Sequence, residues 1–238
     1  MTRRIMITND DGIFAKGIMR LAEAAKAFGE VWVIAPESQR SAASHTVTFH
    51  KSFDVWKVDY PVDGVYAYAC DGTPADCVRI GVLNIMPGKP DVILSGINNG
   101  YNVANDLQYS ATVGAAFEAV FQKIPAIAFS EADKENHEVT DLYLKQIMEE
   151  YIDKPLRAGC IWNVNFPDCT AAECRGILYD RTVSVDEFYK DTYNEVAVKG
   201  DRKSYMVEGH RNWNAKEDSD LWAILNGYVS VGSVRNIS

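Results

Sequence analysis

The chain has 238 residues, a hydrophobic fraction of 47% and a formal net charge of −9. That is enough apolar material to bury a sizeable core, and it excludes a disordered chain. The acidic balance argues against a general nucleic-acid surface, which needs a basic patch, and leaves small phosphorylated ligands open wherever a bound cation reverses the local field.

Residues 5–8 form a short apolar run that predicts a buried strand. Ile18, Leu21, Ala22 and Ala25 then recur at helical spacing, and the pattern stops near Phe28 and Gly29. Residues 31–35 are the next β-rich run, closed by Pro36. Such a strand–helix–strand unit with short connections favours a parallel, right-handed crossover. Residues 46–49, 53–58 and 65–69 are expected as antiparallel strands, followed by a helix over 75–83. A buried strand at 91–94 leads into a long polar loop, and Ser110 opens a helix through Phe121. A strand at 126–129 follows Pro125, an amphipathic helix runs from Leu142 to Tyr151, and a strand covers 161–164. Beyond Pro167 the chain turns polar and tyrosine-rich, with a β-like stretch at 203–207, a short helix at 220–225 closed by Gly227, and a strand at 228–231.

The expected architecture is one α/β domain over residues 1–238 with a Rossmann-like, mostly parallel, doubly wound sheet in about the first 167 residues. An irregular, β-rich segment over 168–238 is expected to serve as an oligomerisation arm. Cys70, Cys77, Cys160, Cys169 and Cys174 are odd in number and include no C-x-x-C, so neither a disulfide framework nor a zinc ribbon is indicated. Reduced thiols in a cytoplasm are the simpler reading. The basic start Met1-Thr2-Arg3-Arg4 precedes an apolar run too short for a signal peptide, and no run approaches a membrane span.

Four loops carry the chemistry. The first, Asn9-Asp10-Asp11-Gly12, places two carboxylates at a strand tip. The second runs from Ala35 through Arg40 and Ser41 to Ser44 and His45. The third runs from Ser95 and Gly96 through Asn98, Asn99 and Asn102 to Asp106. The fourth is the helix start Ser110-Ala111-Thr112. In a parallel sheet the first three meet at one edge. Asp10 and Asp11 offer negative charge to a cation, and the Ser41 hydroxyl and Asn98 amide oxygen complete an all-oxygen set. Such donors suit Mg²⁺, Mn²⁺ or Ca²⁺ better than zinc. Taken singly, Asp10-Asp11-Gly12 is as readily a solvated turn as a cation site, and Ser41 and Asn98 are more ordinarily loop, cap or turn residues; it is their placement after successive strands that points to a site. The Ser110-Ala111-Thr112 start offers helix N–H groups and partial positive charge to a phosphate. His45 fits a general acid or a phosphate contact, and equally a structural histidine.

Taken together, ITNDDGIFAKGI, VIAPESQRSAASHTVT, DGTPADCVRIGV, SGINNGYNVANDLQYSATVGAAFEAV and IPAIAFS resemble the SurE survival-protein family of metal-dependent nucleotidases, with NVNFP and NGYVSV adding later matches. The resemblance is dense over the first 130 residues. It implies a Rossmann-like fold and homodimers or homotetramers built with C-terminal segments. It implies hydrolysis of nucleoside 5′- and often 3′-monophosphates, with short polyphosphate cleaved by some members. The family's metal ligands fall on Asp10, Asp11, Ser41 and Asn98, implying one Mg²⁺ or Mn²⁺ per subunit. Asp10, Asp11 and Asn98 are the expected catalytic residues. Asn9, Ser44, His45, Gly96, Asn102, Ser110, Ala111 and Thr112 are the expected phosphate and substrate contacts. The chain departs from the family pattern at Val103-Ala104-Asn105 and at Ala111, where the family has glycine, and keeps all four ligands.

The expected chemistry is metal-assisted hydrolysis, with an aspartyl nucleophile at Asp10 or Asp11 as the variant. Nucleic acid and membranes are not expected partners. A Rossmann-type transferase or oxidoreductase is disfavoured because G-x-G-x-x-G and G-x-x-x-x-G-K-[ST] are both missing. The alternative from a different class is a non-catalytic, metal-dependent nucleotide sensor.

Overall fold

In the computed structural model, which describes residues 2–236, nine strands form one sheet. The first strand, β1 (Arg4–Thr8), buries Ile5, Met6 and Ile7 completely. A continuous apolar run suits a strand covered on both faces. Helix α1 (Lys16–Ala25) turns its apolar stripe inward, and β2 (Glu30–Pro36) pairs parallel with β1. After β3 (Val55–Lys57) come β4 (Tyr66–Cys70), α2 (Pro74–Ile80) and β5 (Val92–Asn99). Helix α3 (Ala111–Phe121), β6 (Ala126–Glu131), α4 (Glu138–Tyr151) and β7 (Cys160–Phe166) complete the doubly wound pattern. The C-terminal elements are β8 (Ile177–Leu178), β9 (Tyr189–Lys199), β10 (Arg202–Arg211), α5 (Asp220–Leu225) and β11 (Val229–Arg235).

The sheet order is β3-β4-β2-β1-β5-β6-β7-β11-β8. Helices α1 and α4 cover the face that carries Ile5 and Ile7, and α2 and α3 cover the face that carries Met6. Gly17 lets α1 lie directly on β5, because a Cβ there would run into the Ile97 carbonyl oxygen.

Several expectations change. Residues 46–49 are not a strand: Thr46 Oγ1 donates to the Ala43 carbonyl at 2.6 Å, and Thr48 N and Oγ1 donate to Asp76 at 3.0 and 2.7 Å. These side chains tie the loop to the capping box of α2 in place of a ladder. Only β3 runs antiparallel to β4, which itself lies parallel to β2. A π-helical turn, Gly81–Ile85, takes up the end of the expected helix. The strand expected to stop at Leu94 continues to Asn99, so part of the polar loop is strand, and a 3₁₀ turn at Ala104–Tyr109 follows it. At the far side β11 enters the sheet antiparallel to β7, and β8 adds parallel to β11. The β9–β10 hairpin forms a separate two-stranded sheet, exposed along both strands.

Candidate metal and phosphate site

The sheet dictates where a ligand binds. From β1 the chain winds to β2 and β4 on one side, then returns to β5 on the other. Ligands of such sheets sit outside the carboxyl ends of the strands at this reversal. Asp10 and Asp11 follow β1 there, and Asn98 and Asn99 end β5. Hydrogen bonds join the loops: Arg40 N donates to the Asp10 carbonyl at 2.7 Å, and Asn99 N donates to Asp11 Oδ2 at 2.9 Å.

Asp10 is 3% exposed and accepts a short hydrogen bond from the Thr112 hydroxyl at the start of α3. The same Oγ lies 3.4 Å from Asn98 Oδ1. Asn98 Nδ2 donates to the Gly100 carbonyl at 2.8 Å, which turns its oxygen toward Asp10 and Thr112. Ser110 caps α3 by accepting from Val113 N at 3.1 Å, and Ala111 is fully buried behind it. The first N–H groups of the helix lack intrahelical partners, as at any helix start, and stand beside the carboxylate.

Ser41 lies exposed at the rim, next to the Arg40 that grips Asp10, and its hydroxyl accepts from Gln39 Nε2 at 3.0 Å. Beyond it Ala42 and Ser44 adopt φ of 58° and 52°, the left-handed region that side chains seldom enter. These turns fold the loop onto the 3₁₀ segment, where Ser44 N and Oγ donate to the Tyr109 and Gln108 carbonyls at 3.0 and 2.8 Å. Gly114 makes room, since a Cβ there would collide with the Ser44 carbonyl.

Other expected contacts also make bonds within the scaffold. Asn102 is 6% exposed and engaged in a buried network, donating from Nδ2 to Ser130 Oγ at 2.8 Å and from its backbone N–H to Asn165 Oδ1 at 2.8 Å. Its carbonyl accepts from Asn163 and Asn165. Gly96, at φ 134°, serves the backbone: a Cβ would strike the Phe129 carbonyl of β6. Asn9 shapes its turn by donating to the Gly12 carbonyl at 2.9 Å, while its Oδ1 stays buried without a protein partner. His45 Nε2 stands 2.9 Å from Glu118, a carboxylate 2% exposed on α3. Burial alone pushes Glu118 up, but hydrogen bonds from His45 and Gln122, with Arg79 nearby, hold it below the usual range. This pair anchors the second loop to α3. Asn99 and Asp133, bonded Nδ2 to Oδ1 at 2.9 Å, escaped the sequence reading. Asn99 stood in a visible Asn pair, but nothing marked Asp133.

Burial, opposed by the Thr112 hydroxyl and raised further by neighbouring Asp11, pushes Asp10 up to about 6. Asp11 is also raised by burial, against the Asn99 N–H that favours its charge. Two adjacent carboxylates and a neutral amide oxygen, with a hydroxyl at the rim, suit a hard divalent cation, whose charge relieves the cost of burying the acids. Among the described residues no three His, Cys, Asp or Glu side chains gather into a metal cluster, so the site rests on two acids and neutral oxygens.

Fold and site together define a Rossmann-like α/β protein with a pair of adjacent carboxylates and a helix N-terminus at its topological switch. The family model described as Survival protein SurE matches residues 5–188. The chain is 38% identical to the 5′-nucleotidase SurE of Cytophaga hutchinsonii, over 95% of this chain and 88% of that one. It is 35% identical to the 5′-nucleotidase SurE of Clostridium botulinum, over 95% of this chain and 90% of that one. The crystal structure of the SurE protein from Aquifex aeolicus superposes with a TM-score of 0.83 at 35% identity, covering 99% of this chain and 94% of that one. The chain belongs to the SurE family.

The raised Asp10 links the site to stability. Between pH 4 and about 6 the folded, metal-free protein holds a proton that the unfolded chain has released, so its stability falls as pH rises through that window. At pH 7 the charged carboxylate costs up to about 3 kcal/mol. Asp10→Asn should therefore raise the melting temperature in EDTA at pH 7 and bring little gain at pH 4. Added Mn²⁺ should stabilise the wild type and leave Asp10→Asn unmoved. Equal melting temperatures at pH 7 would contradict a buried, strained Asp10.

Proposed function

We propose that this protein is a divalent-metal-dependent phosphomonoesterase that hydrolyses nucleoside 5′-monophosphates to nucleoside and phosphate, with 3′-monophosphates and short polyphosphate as secondary substrates. The observation that carries this reading is the meeting of Asp10, Asn98 and Thr112 at the N-terminus of α3, beside Asp11. The 5′-nucleotidases among its relatives point the same way.

Asp10, Asp11, Asn98 and Ser41 would hold one Mg²⁺ or Mn²⁺ per subunit. When bound, the ion supplies Lewis-acid polarisation of a phosphoryl oxygen and acidifies a water. The first N–H groups of α3 at Ala111 and Thr112 receive the phosphoryl oxygens and stabilise their developing charge. The Thr112 hydroxyl orients the Asp10 carboxylate and holds it ready to ionise. The buried Asn102 network fixes the third loop, so Asn98 keeps its direction without help from substrate.

The β9–β10 hairpin supports a second proposal, that the protein assembles as a homodimer or homotetramer. Tyr193, Val198, Tyr205 and Met206 all lie exposed on it, and a lone two-stranded ribbon is marginally stable in water. A second copy of the chain covers such a surface. No helix among the described residues is long and apolar enough to cross a membrane. The five unpaired cysteines suit a reducing, cytoplasmic setting.

Phosphate release from nucleoside monophosphates should require Mn²⁺ or Mg²⁺, and folded Asp10→Asn should lose about 10²-fold or more of it. Nucleotide binding without phosphate release would establish a sensor instead. In light scattering the full chain should weigh a multiple of 26.5 kDa, and replacing residues 190–210 by a short Gly/Ser linker should lower the mass. An unchanged mass would remove the hairpin from the interface.

A further inference from the structure

We propose that the cavity beside Asp11 is the nucleoside subsite and that Asp133 accepts hydrogen bonds from the ribose hydroxyls there; this rests on the nucleotidase reading above. The cavity measures about 500 Å³ and opens between the turn after β1 and the connection after β6, at the same edge of the sheet as Asp10. Pockets of about 300–1,000 Å³ suit small ligands. Ala15 and Gly17 give it a small, partly apolar wall. Asp11 and Asn99 belong to its lining as well as to the candidate metal and phosphate site, so the cavity adjoins that site.

Asn99 joins the two regions. Its backbone N–H donates to Asp11 Oδ2 at 2.9 Å, and its side-chain Nδ2 donates to Asp133 Oδ1 at 2.9 Å. One residue thus sets the offset between a carboxylate at the reacting end and a carboxylate inside the cavity. An ionised carboxylate accepts only, with about four lone-pair sites, and Asn99 uses one of them on Asp133. The nearby ammonium groups are engaged elsewhere: Lys16 pairs with Glu135 at 3.2 Å, and Lys134 pairs with Asp168. Asp133 is therefore an oriented, uncompensated acceptor. The ligand it suits is a neutral donor, and a second phosphate would be repelled. The cis-diol of a ribonucleoside offers two hydroxyl donors without charge. The cavity thereby distinguishes ribonucleoside monophosphates from deoxy sugars and from bare polyphosphate.

Steady-state kinetics with Mn²⁺ test this on the full chain, using adenosine 5′-monophosphate, its 2′,3′-dideoxy analogue and 4-nitrophenyl phosphate. The wild type should favour the ribonucleotide over the dideoxy analogue by about tenfold in kcat/KM, the value of a hydrogen bond to a charged group. Asp133→Asn should raise KM for the ribonucleotide about tenfold with little change in kcat, and erase that preference. Its effect on the KM of the dideoxy analogue and of 4-nitrophenyl phosphate should be several-fold smaller. Asp133→Glu should restore part of the preference, which a loss of local structure would not allow. Equal shifts for all three substrates, or none, would overturn the assignment of Asp133. A wild type that hydrolyses none of the three would overturn the nucleotidase reading itself.

Discussion

The site depends on a carboxylate held out of water next to a second carboxylate. Asp10 follows the buried residues Ile5 to Asn9, and the peptide bond that follows places Asp11 beside it. Burial makes each resist ionising, and a neighbouring carboxylate adds to it, Asp11 beside Asp10 and Asp133 beside Asp11. A folded protein keeps such a pair only where something else gains from it. A divalent cation bound there would turn that local instability into affinity, and neutral oxygens from Asn98 and Ser41 would complete its shell without adding repulsion. The same reasoning sets the role of Thr112. Its hydroxyl gives Asp10 one strong hydrogen bond, which opposes the effect of burial without bringing another charge.

Close backbone approach gives the site its rigidity. Gly17 seats α1 on β5, Gly96 lets β5 pass β6, and Gly114 lets the second loop lie on α3. In each case a Cβ would collide with a carbonyl oxygen, so the contact runs between backbones and leaves little freedom to slide. Polar side chains complete the frame. Asn102 takes its hydrogen bonds from β6 and β7, and Glu118 ties His45 to α3. The ligand-facing groups therefore ride on loops whose ends are fixed at several points, which is how a loop can hold a reactive geometry.

The parts of the fold that repeat a strong local period were legible in the sequence. Residues 5–8 and 31–35 read as strands because they are buried on both faces, and 220–225 read as a helix with the bounds the structure shows. The loops bearing Asp10, Ser41, Asn98 and Thr112 were legible because oxygen donors cluster after strands. Pairings over long separations were not: nothing local shows that β11 lies antiparallel to β7, or that β4 joins β2 in parallel. The continuation of β5 through Ser95–Asn99 was hidden because its polar side chains serve the site and α3, as when Ser95 Oγ donates to the Thr112 carbonyl at 2.7 Å. Residues 46–49 misled for the converse reason: a β-like composition is spent on hydrogen bonds to a helix cap. The buried network of Asn102 was hidden because its partners lie 28 and 63 residues away in sequence.

The central claim is that the Asp10–Asp11 pair exists to hold a divalent cation with Asn98 and Ser41. Anomalous diffraction from crystals of the protein grown with Mn²⁺ tests it most directly. The strongest metal peak should lie at coordination distance from carboxylate oxygens of both acids and from the Asn98 amide oxygen, with Ser41 at the edge of the shell. A fully occupied peak elsewhere, with Asp10 still bonded only to Thr112 and no density beside Asp11, would contradict it.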